Sequence, residues 1–376
     1  MARIHNFSAG PAALPLPVLE RVQRELIDFD GTGMSIMEQS HRGPTYERVH
    51  HDAIARLRTL LALDDRFEVL LLQGGASLQF AMVPINFLGG PRRADYVVTG
   101  TWGKKAVAEA NRQHPNSARI AVDTHDESGF AGHLPASDAL ELDPRAVYCH
   151  VTSNNTIMGT QFRGEAWPET DGVPLVADVS SDYLGRRLPL DRFGLIYGGA
   201  QKNIGPSGLC VVIAKKSFLA QANADITNIL SYRAHLEKNS TYHTPNTFAV
   251  YVMWLVLQWL EDQGGLDAMA TRNDKQAASV YAVLDAYPDF YRPRVAQADR
   301  SVMNVTFSLP TPELDQAFVA EAQAKGMNGL KGHRSVGGIR ASLYNATPDA
   351  AVEAHNAFMD EFSRRHRKQA AQNGLQ

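Results

Sequence analysis

The sequence of 376 residues predicts an α/β protein built on a mostly parallel seven-stranded sheet, with a smaller α+β unit at its C-terminal end. Three observations lead there. Short apolar runs recur through the first two-thirds of the chain, helix-like segments separate several of them, and the pattern changes style after Lys215. The runs are Phe67–Leu72, Tyr96–Thr99, Arg119–Val122, Ala146–Val151, Pro174–Val179, Leu195–Tyr197 and Cys210–Ala214. Most are continuous rather than alternating, as expected of strands covered on both faces. Helical segments are expected at Thr45–Leu61, ahead of the first run, and at Ser77–Phe87 and Lys104–Arg112 between later ones. Strands that alternate with helices favour parallel pairing, because each helix carries the chain back across the sheet.

Beyond the last run the sequence predicts helices at Thr247–Gln263 and Leu266–Ala286. A strand at Val302–Leu309, a helix at Pro312–Lys325, a strand at Ile339–Leu343 and a helix at Pro348–Arg364 make up the smaller unit. The tail Arg364–Gln376 is polar and basic and is expected to fray. Phe248–Leu260 is the most apolar helical stretch; it is too short to span a bilayer and reads as a buried core helix.

Composition narrows the partners. The chain is 44% apolar and 20% charged with a formal net charge of −3, which offers no bulk attraction to nucleic acid or to an anionic membrane. The two cysteines, Cys149 and Cys210, each sit inside an apolar run, so buried free thiols, no disulfide framework and a cytoplasmic location are expected. The first residues contain no apolar signal segment. No metal is expected: Glu47-x-x-His50 has no second copy, and no paired Cys-x-x-Cys exists. His50 and His51 read as helix-surface residues.

Candidate chemistry gathers where strands end. Lys202 lies in Gly198-Gly199-Ala200-Gln201-Lys202-Asn203-Ile204-Gly205-Pro206, between two strand-like runs. A lysine held in a partly desolvated turn can lose its proton and attack an aldehyde to form a Schiff base; a solvated loop lysine fits the same window. Asp178 closes the run Pro174–Asp178, at the strand end where open α/β sheets bind ligands, though it could also begin a surface turn. Gln73-Gly74-Gly75-Ala76-Ser77 leads from a strand into a helix, and backbone N–H groups at such a start bind phosphate; a plain tight turn is the other reading. Trp102 follows another strand and could stack on a flat ligand or simply pack. Thr156 follows a fourth strand and could donate to a ring oxygen. An anion nest, a ring face, a hydroxyl, an acid and an amine together match pyridoxal 5'-phosphate. Two cationic clusters, His41-Arg42 and Lys331-Gly332-His333-Arg334 with Arg340, suit carboxylate or phosphate recognition.

These segments, with Asn6-Phe7-Ser8-Ala9-Gly10-Pro11-Ala12 at one end and Ile339-Arg340-Ala341-Ser342-Leu343-Tyr344-Asn345 at the other, make the chain resemble the phosphoserine aminotransferases almost end to end. These are class V, fold-type-I pyridoxal-phosphate enzymes. The resemblance implies a large cofactor-binding domain over residues 16–262 and a small domain over 263–376 that includes residues 1–15. It implies that Lys202 holds the cofactor covalently and shuttles the proton, that Asp178 pairs with the ring nitrogen, that Trp102 stacks and that Thr156 contacts the phenolic oxygen. Ala76, Ser77 and Gln201 would bind the cofactor phosphate, joined by His243 and Thr244 from the other subunit of a homodimer with shared active sites. His41, Arg42, His333 and Arg334 would recognise the substrate's distal anion, and Arg340 its α-carboxylate.

The implied reaction is amino transfer between glutamate and 3-phosphohydroxypyruvate, in serine biosynthesis, with the 4-phosphohydroxy-threonine of pyridoxine biosynthesis as a second implied substrate. Three positions depart from the pattern: His243 stands where many members have asparagine, Ser77 where some have arginine, and Ala9 where some have serine. Two other readings are an aminotransferase of the alanine–glyoxylate type and a non-catalytic binder of phosphorylated ligands. The extra cations favour a phosphorylated substrate over the first, and lysine chemistry separates the enzyme from the second.

Overall fold

The computed structural model describes residues 3–126 and 129–372, with the side chains of Asp126, Phe130 and 368–372 left aside. Met1, Ala2, Glu127, Ser128 and the last four residues, Asn373–Gln376, lie outside the described part, and with them the end of the tail expected to fray. The seven predicted runs form one seven-stranded sheet: β1 (Phe67–Gln73), β2 (Ala94–Val98), β3 (Ala118–Asp123), β4 (Cys149–Thr152), β5 (Leu175–Asp178), β6 (Phe193–Gly199) and β7 (Leu209–Lys215). Their spatial order is β1-β7-β6-β5-β4-β2-β3. β7 is antiparallel to both neighbours; the remaining pairs are parallel. The six strands other than β7 therefore run in one direction, and their C-terminal ends share one edge.

The continuous apolar runs are explained by cover on both faces. Along β7, Leu209, Val211 and Ile213 enter one hydrophobic cluster, while Cys210, Val212 and Ala214 enter another. The first cluster takes in α1 (Leu16–Glu25), α2 (Pro44–Leu60) and α5 (Thr247–Asp262). The second takes in α3 (Ala76–Phe87) and α4 (Thr101–Gln113). α5 is buried through Ala249–Leu257, as its composition predicts, and both cysteines are buried free thiols.

Gly264, at φ +92°, adopts the left-handed conformation that closes α5 and lets α6 (Gly265–Ala286) begin. α6 bridges two cores: Leu266 and Met269 pack with the sheet, whereas Ala277, Val280 and Leu284 join a third cluster. That cluster also contains Phe7 and residues of β8 (Asn304–Ser308), α7 (Pro312–Ala324), β9 (Ile339–Ser342) and α8 (Asp349–Gln372). β8 and β9 pair antiparallel, and His5–Asn6 pairs parallel with Met327–Asn328, so the N-terminal segment docks beside the C-terminal elements.

Three expectations need correction. α8 continues past Arg364 to Gln372, held on the way by ion pairs of Arg364 with Asp360 and of Arg365 with Glu321. α1 was not expected, because its proline-rich start offers no capping side chain. His50 is buried rather than on the surface: its ring bonds the Tyr46 hydroxyl (3.3 Å) and the Asn239 carbonyl (2.8 Å), and burial lowers its pKa to about 4. His51 is exposed, as expected.

A buried polar seam ties the sheet's C-terminal edge to the C-terminal unit. Asn154, just past β4, donates to Ser181 Oγ (2.8 Å) and to Asn304 Oδ1 (2.7 Å), and accepts from Ser301 Oγ. Gln161 Oε1 accepts from the Val302 N–H at 3.0 Å. Buried polar groups must find partners, so this seam fixes the two units in register at the edge where the candidate residues lie.

Leu257 is completely buried on α5. Leu257→Ala is expected to lower unfolding free energy by roughly 2–5 kcal/mol through lost burial and a residual cavity, read by urea denaturation. A loss below about 1 kcal/mol would contradict the packing described.

Candidate active site

Five strand ends build the site. β6 ends at Gly199, and the chain turns through Ala200 and Gln201 into Lys202. The Lys202 ammonium donates to Thr156 Oγ1 at 2.7 Å and lies 5.4 Å from the centre of the Trp102 ring. Burial is the main influence on its pKa, with the Arg340 charge acting in the same direction; Asp178 and Asp182 oppose, and the net effect lowers it to about 8. Gly10 passes close by: a Cβ there would stand 3.1 Å from Lys202 Cγ, so the N-terminal segment forms one wall.

Asp178 is the last residue of β5 and pairs in register with Thr152 on one side and Tyr197 on the other. Its Oδ1 accepts from the Ser180 backbone N–H (3.0 Å) and from the Ser180 hydroxyl (2.5 Å), while Ser180 Oγ accepts from the Gly199 N–H (3.1 Å). Among the described residues no side chain or backbone group donates to Asp178 Oδ2, which leaves that oxygen for a ligand. Asp182 lies deeper, bonded to Ser153 Oγ and Gln161 Nε2, and burial raises its carboxyl to about 6.

Trp102 belongs to the first turn of α4 and Ser77 to the first turn of α3. Among the described residues the N–H groups of Gly75, Ala76 and Ser77 have no acceptor, no side chain caps this helix, and a Cβ on Gly75 would enter open space. Such a terminus is a ready anion cradle. Further buried polar atoms lack partners here: Trp102 Nε1, Gln201 Oε1 and Arg340 Nε.

Arg340, on β9, reaches across to donate to the Thr156 carbonyl at 3.2 Å. It forms no ion pair among the described residues, and burial lowers its pKa. His333 bonds Ser335 Oγ at 2.7 Å; burial lowers its pKa, and the charges of Arg340, Arg334 and Lys105 add to that. Arg334 is exposed.

The structure thus brings Lys202, Thr156, Trp102, Asp178, Arg340, His333 and Arg334 to one edge. It does not bring His41, Arg42, His243 or Thr244 into contact with Lys202. Arg42 is exposed; His243 bonds the Thr244 carbonyl at 2.9 Å and Gln73 Nε2 at 3.3 Å, and its ring stands 5.6 Å from His235. Sequence reasoning missed Ser180, whose place two residues after Asp178 suits a hydroxyl folding back on a carboxylate. It also missed Lys105, whose ammonium lies 4.7 Å from the Trp102 ring; its spacing three residues after Trp102 on a helix was the available signal.

A seven-stranded sheet carrying a desolvated lysine beside an aspartate and an anion cradle is the architecture of an aminotransferase, and the comparisons agree. The class-V aminotransferase family matches residues 4–354, and the chain belongs to that family. Within it, the chain belongs with the phosphoserine aminotransferases. That of Geobacillus kaustophilus is 50% identical over 365 residues, covering 97% of this chain and 99% of that protein. The solved phosphoserine aminotransferase of Bacillus circulans subsp. alkalophilus superposes with a TM-score of 0.92 at 46% identity, over 97% of this chain and 99% of that one. A pyridoxal-phosphate-bound phosphoserine aminotransferase from Trichomonas vaginalis gives 0.89 at 38% identity, over 95% of this chain and 100% of that one.

With its pKa lowered to about 8, Lys202 is half neutral at that pH, where an ordinary lysine is almost wholly charged. In cofactor-free protein, reductively methylated with ¹³C, the Lys202 resonance is expected to titrate near pH 8. A midpoint at 10 or above would contradict the desolvated setting.

Proposed function

We propose that the chain catalyses pyridoxal-phosphate-dependent transamination between L-glutamate and 3-phosphohydroxypyruvate, giving O-phospho-L-serine and 2-oxoglutarate. The observation that carries the reading is the Lys202 amine: desolvated, bonded to Thr156, beside Trp102, and in the turn that leaves β6, the strand paired with the one that ends at Asp178. The residues present fit the cofactor. The open Asp178 Oδ2 suits a protonated ring nitrogen, the Trp102 indole offers a ring face, the free N–H groups at Ala76 and Ser77 suit a phosphate, and Gln201 has a buried side-chain oxygen without a partner. Bound there, pyridoxal phosphate supplies an aldehyde for amine exchange and a conjugated ring that stabilises the electron pair left at the substrate's Cα.

The protein's own groups do the rest. Lys202 Nζ, neutral above about pH 8, accepts the proton leaving Cα. Asp178, held by Ser180, keeps a negative charge fixed at the inner end of the site. Arg340 lacks a carboxylate partner among the described residues and holds the α-carboxylate. His333 and Arg334, with His41 and Arg42, take the distal anion. Residues 16–262 form the cofactor-binding domain, and 263–376 with 1–15 the small one. The enzyme acts in the cytoplasm as a homodimer with shared active sites: His243 and Thr244 make no contact with Lys202 of their own protomer and serve the partner's cofactor phosphate.

Lys202→Ala is expected to reduce transamination at least about a thousandfold while leaving the circular dichroism spectrum unchanged. Turnover near wild type would overturn the assignment. Arg334→Ala is expected to raise KM for 3-phosphohydroxypyruvate more than KM for glutamate, and equal changes would remove its phosphate role.

A further inference from the structure

Lys105 has no part in the assignments above, yet its position is specific. It follows Trp102 by three residues on α4, so the two side chains share a helix face. Glu109, four residues further on, is a ready helical partner, but its carboxylate accepts from Gln113 (3.1 Å) and pairs with Arg112 (3.7 Å). The Lys105 ammonium instead lies 4.7 Å from the centre of the Trp102 ring, the same ring that Lys202 approaches at 5.4 Å. It is near enough to His333 for its charge to act on that imidazole alongside those of Arg334 and Arg340. Neither Lys105, Arg334 nor Arg340 forms an ion pair among the described residues. Positive groups from α4 and from the loop before β9 therefore act together on His333, and none of them is paired with a carboxylate among the described residues; a doubly charged anion answers that arrangement better than a single carboxylate. Lys104, one residue earlier, is exposed like Lys105 but makes no contact with the Trp102 ring.

We infer that Lys105 is a specificity-determining residue of this enzyme: with His333 and Arg334 its ammonium binds the phosphate of the acceptor, and the Trp102 ring holds its stem in place. This rests on the reading of the site given above. The alternative is that Lys105 only covers the Trp102 ring, which would affect every substrate alike.

The test is a set of initial rates on cofactor-loaded wild type, K105M, K105Q, K105R and K104M. Glutamate is the donor, and 3-phosphohydroxypyruvate and hydroxypyruvate are the acceptors. K105M and K105Q are expected to raise KM for the phosphorylated acceptor about tenfold, with kcat within about twofold and KM for hydroxypyruvate unchanged. K105R is expected to recover most of the loss, and K104M to behave as wild type. Inorganic phosphate should also inhibit K105M less strongly than wild type. If K105M and K105Q keep the wild-type ratio between the acceptors, or lose both acceptors equally, the inference is wrong while the transaminase reading stands. If wild type itself does not discriminate between the acceptors, the reading beneath it fails and the inference falls with it.

Discussion

The common direction of six strands is the constraint from which the site follows. Because β1, β2, β4, β5 and β6 all end at one edge, the turns that leave them are neighbours in space although up to 126 residues, from Gln73 to Gly199, separate the strand ends in the chain. Each turn delivers one group: free N–H donors, an indole, a hydroxyl, a carboxylate and an amine. Reversing one of these strands would carry its group to the far edge. The antiparallel β7 carries none of them; it closes the gap between β1 and β6 and places the Gly208 carbonyl against the Gly74 N–H at 3.3 Å.

Within that frame the balance of charges sets the chemistry. Burial alone would strip Lys202 of its proton at lower pH, and Asp178 and Asp182 oppose this, so the amine titrates within reach of neutral pH. Arg340 works against the two acids and stands where an incoming carboxylate would neutralise it. Substrate arrival would then change the field at Lys202 through Arg340, whose guanidinium bonds the backbone of the residue whose hydroxyl holds the amine. The buried seam through Asn154, Asn304 and Gln161 fixes this relation, since Arg340 and Thr156 come from different units of the fold.

Much of this was legible in the sequence because both-face burial leaves a plain mark. Continuous apolar runs located all seven strands, and the polar residues just past them located Asp178, Thr156, Trp102 and Lys202. What escaped depended on partners remote in sequence or on faint local signals. His50 looked like a surface residue because its acceptor, the Asn239 carbonyl, lies 189 positions away. α1 has prolines where a helix start is hard to recognise, and α8 outruns its apolar pattern through ion pairs to α7 and within itself. Ser180 lies in the turn after Asp178 and Lys105 on the helix that carries Trp102, and in each case the neighbour drew attention first. The placing of His243 and Thr244 away from Lys202 is a property of three dimensions that no local pattern carries.

On the proposed function Lys202 forms a covalent bond to the cofactor's aldehyde, and borohydride reduction reads that bond. The purified, cofactor-loaded protein is reduced, digested and mapped by mass spectrometry. One pyridoxyl adduct is expected, on the peptide containing Gln201-Lys202-Asn203, and it is lost when glutamate is added before reduction. An adduct on another lysine, or none at all on protein shown to hold the cofactor, would contradict it.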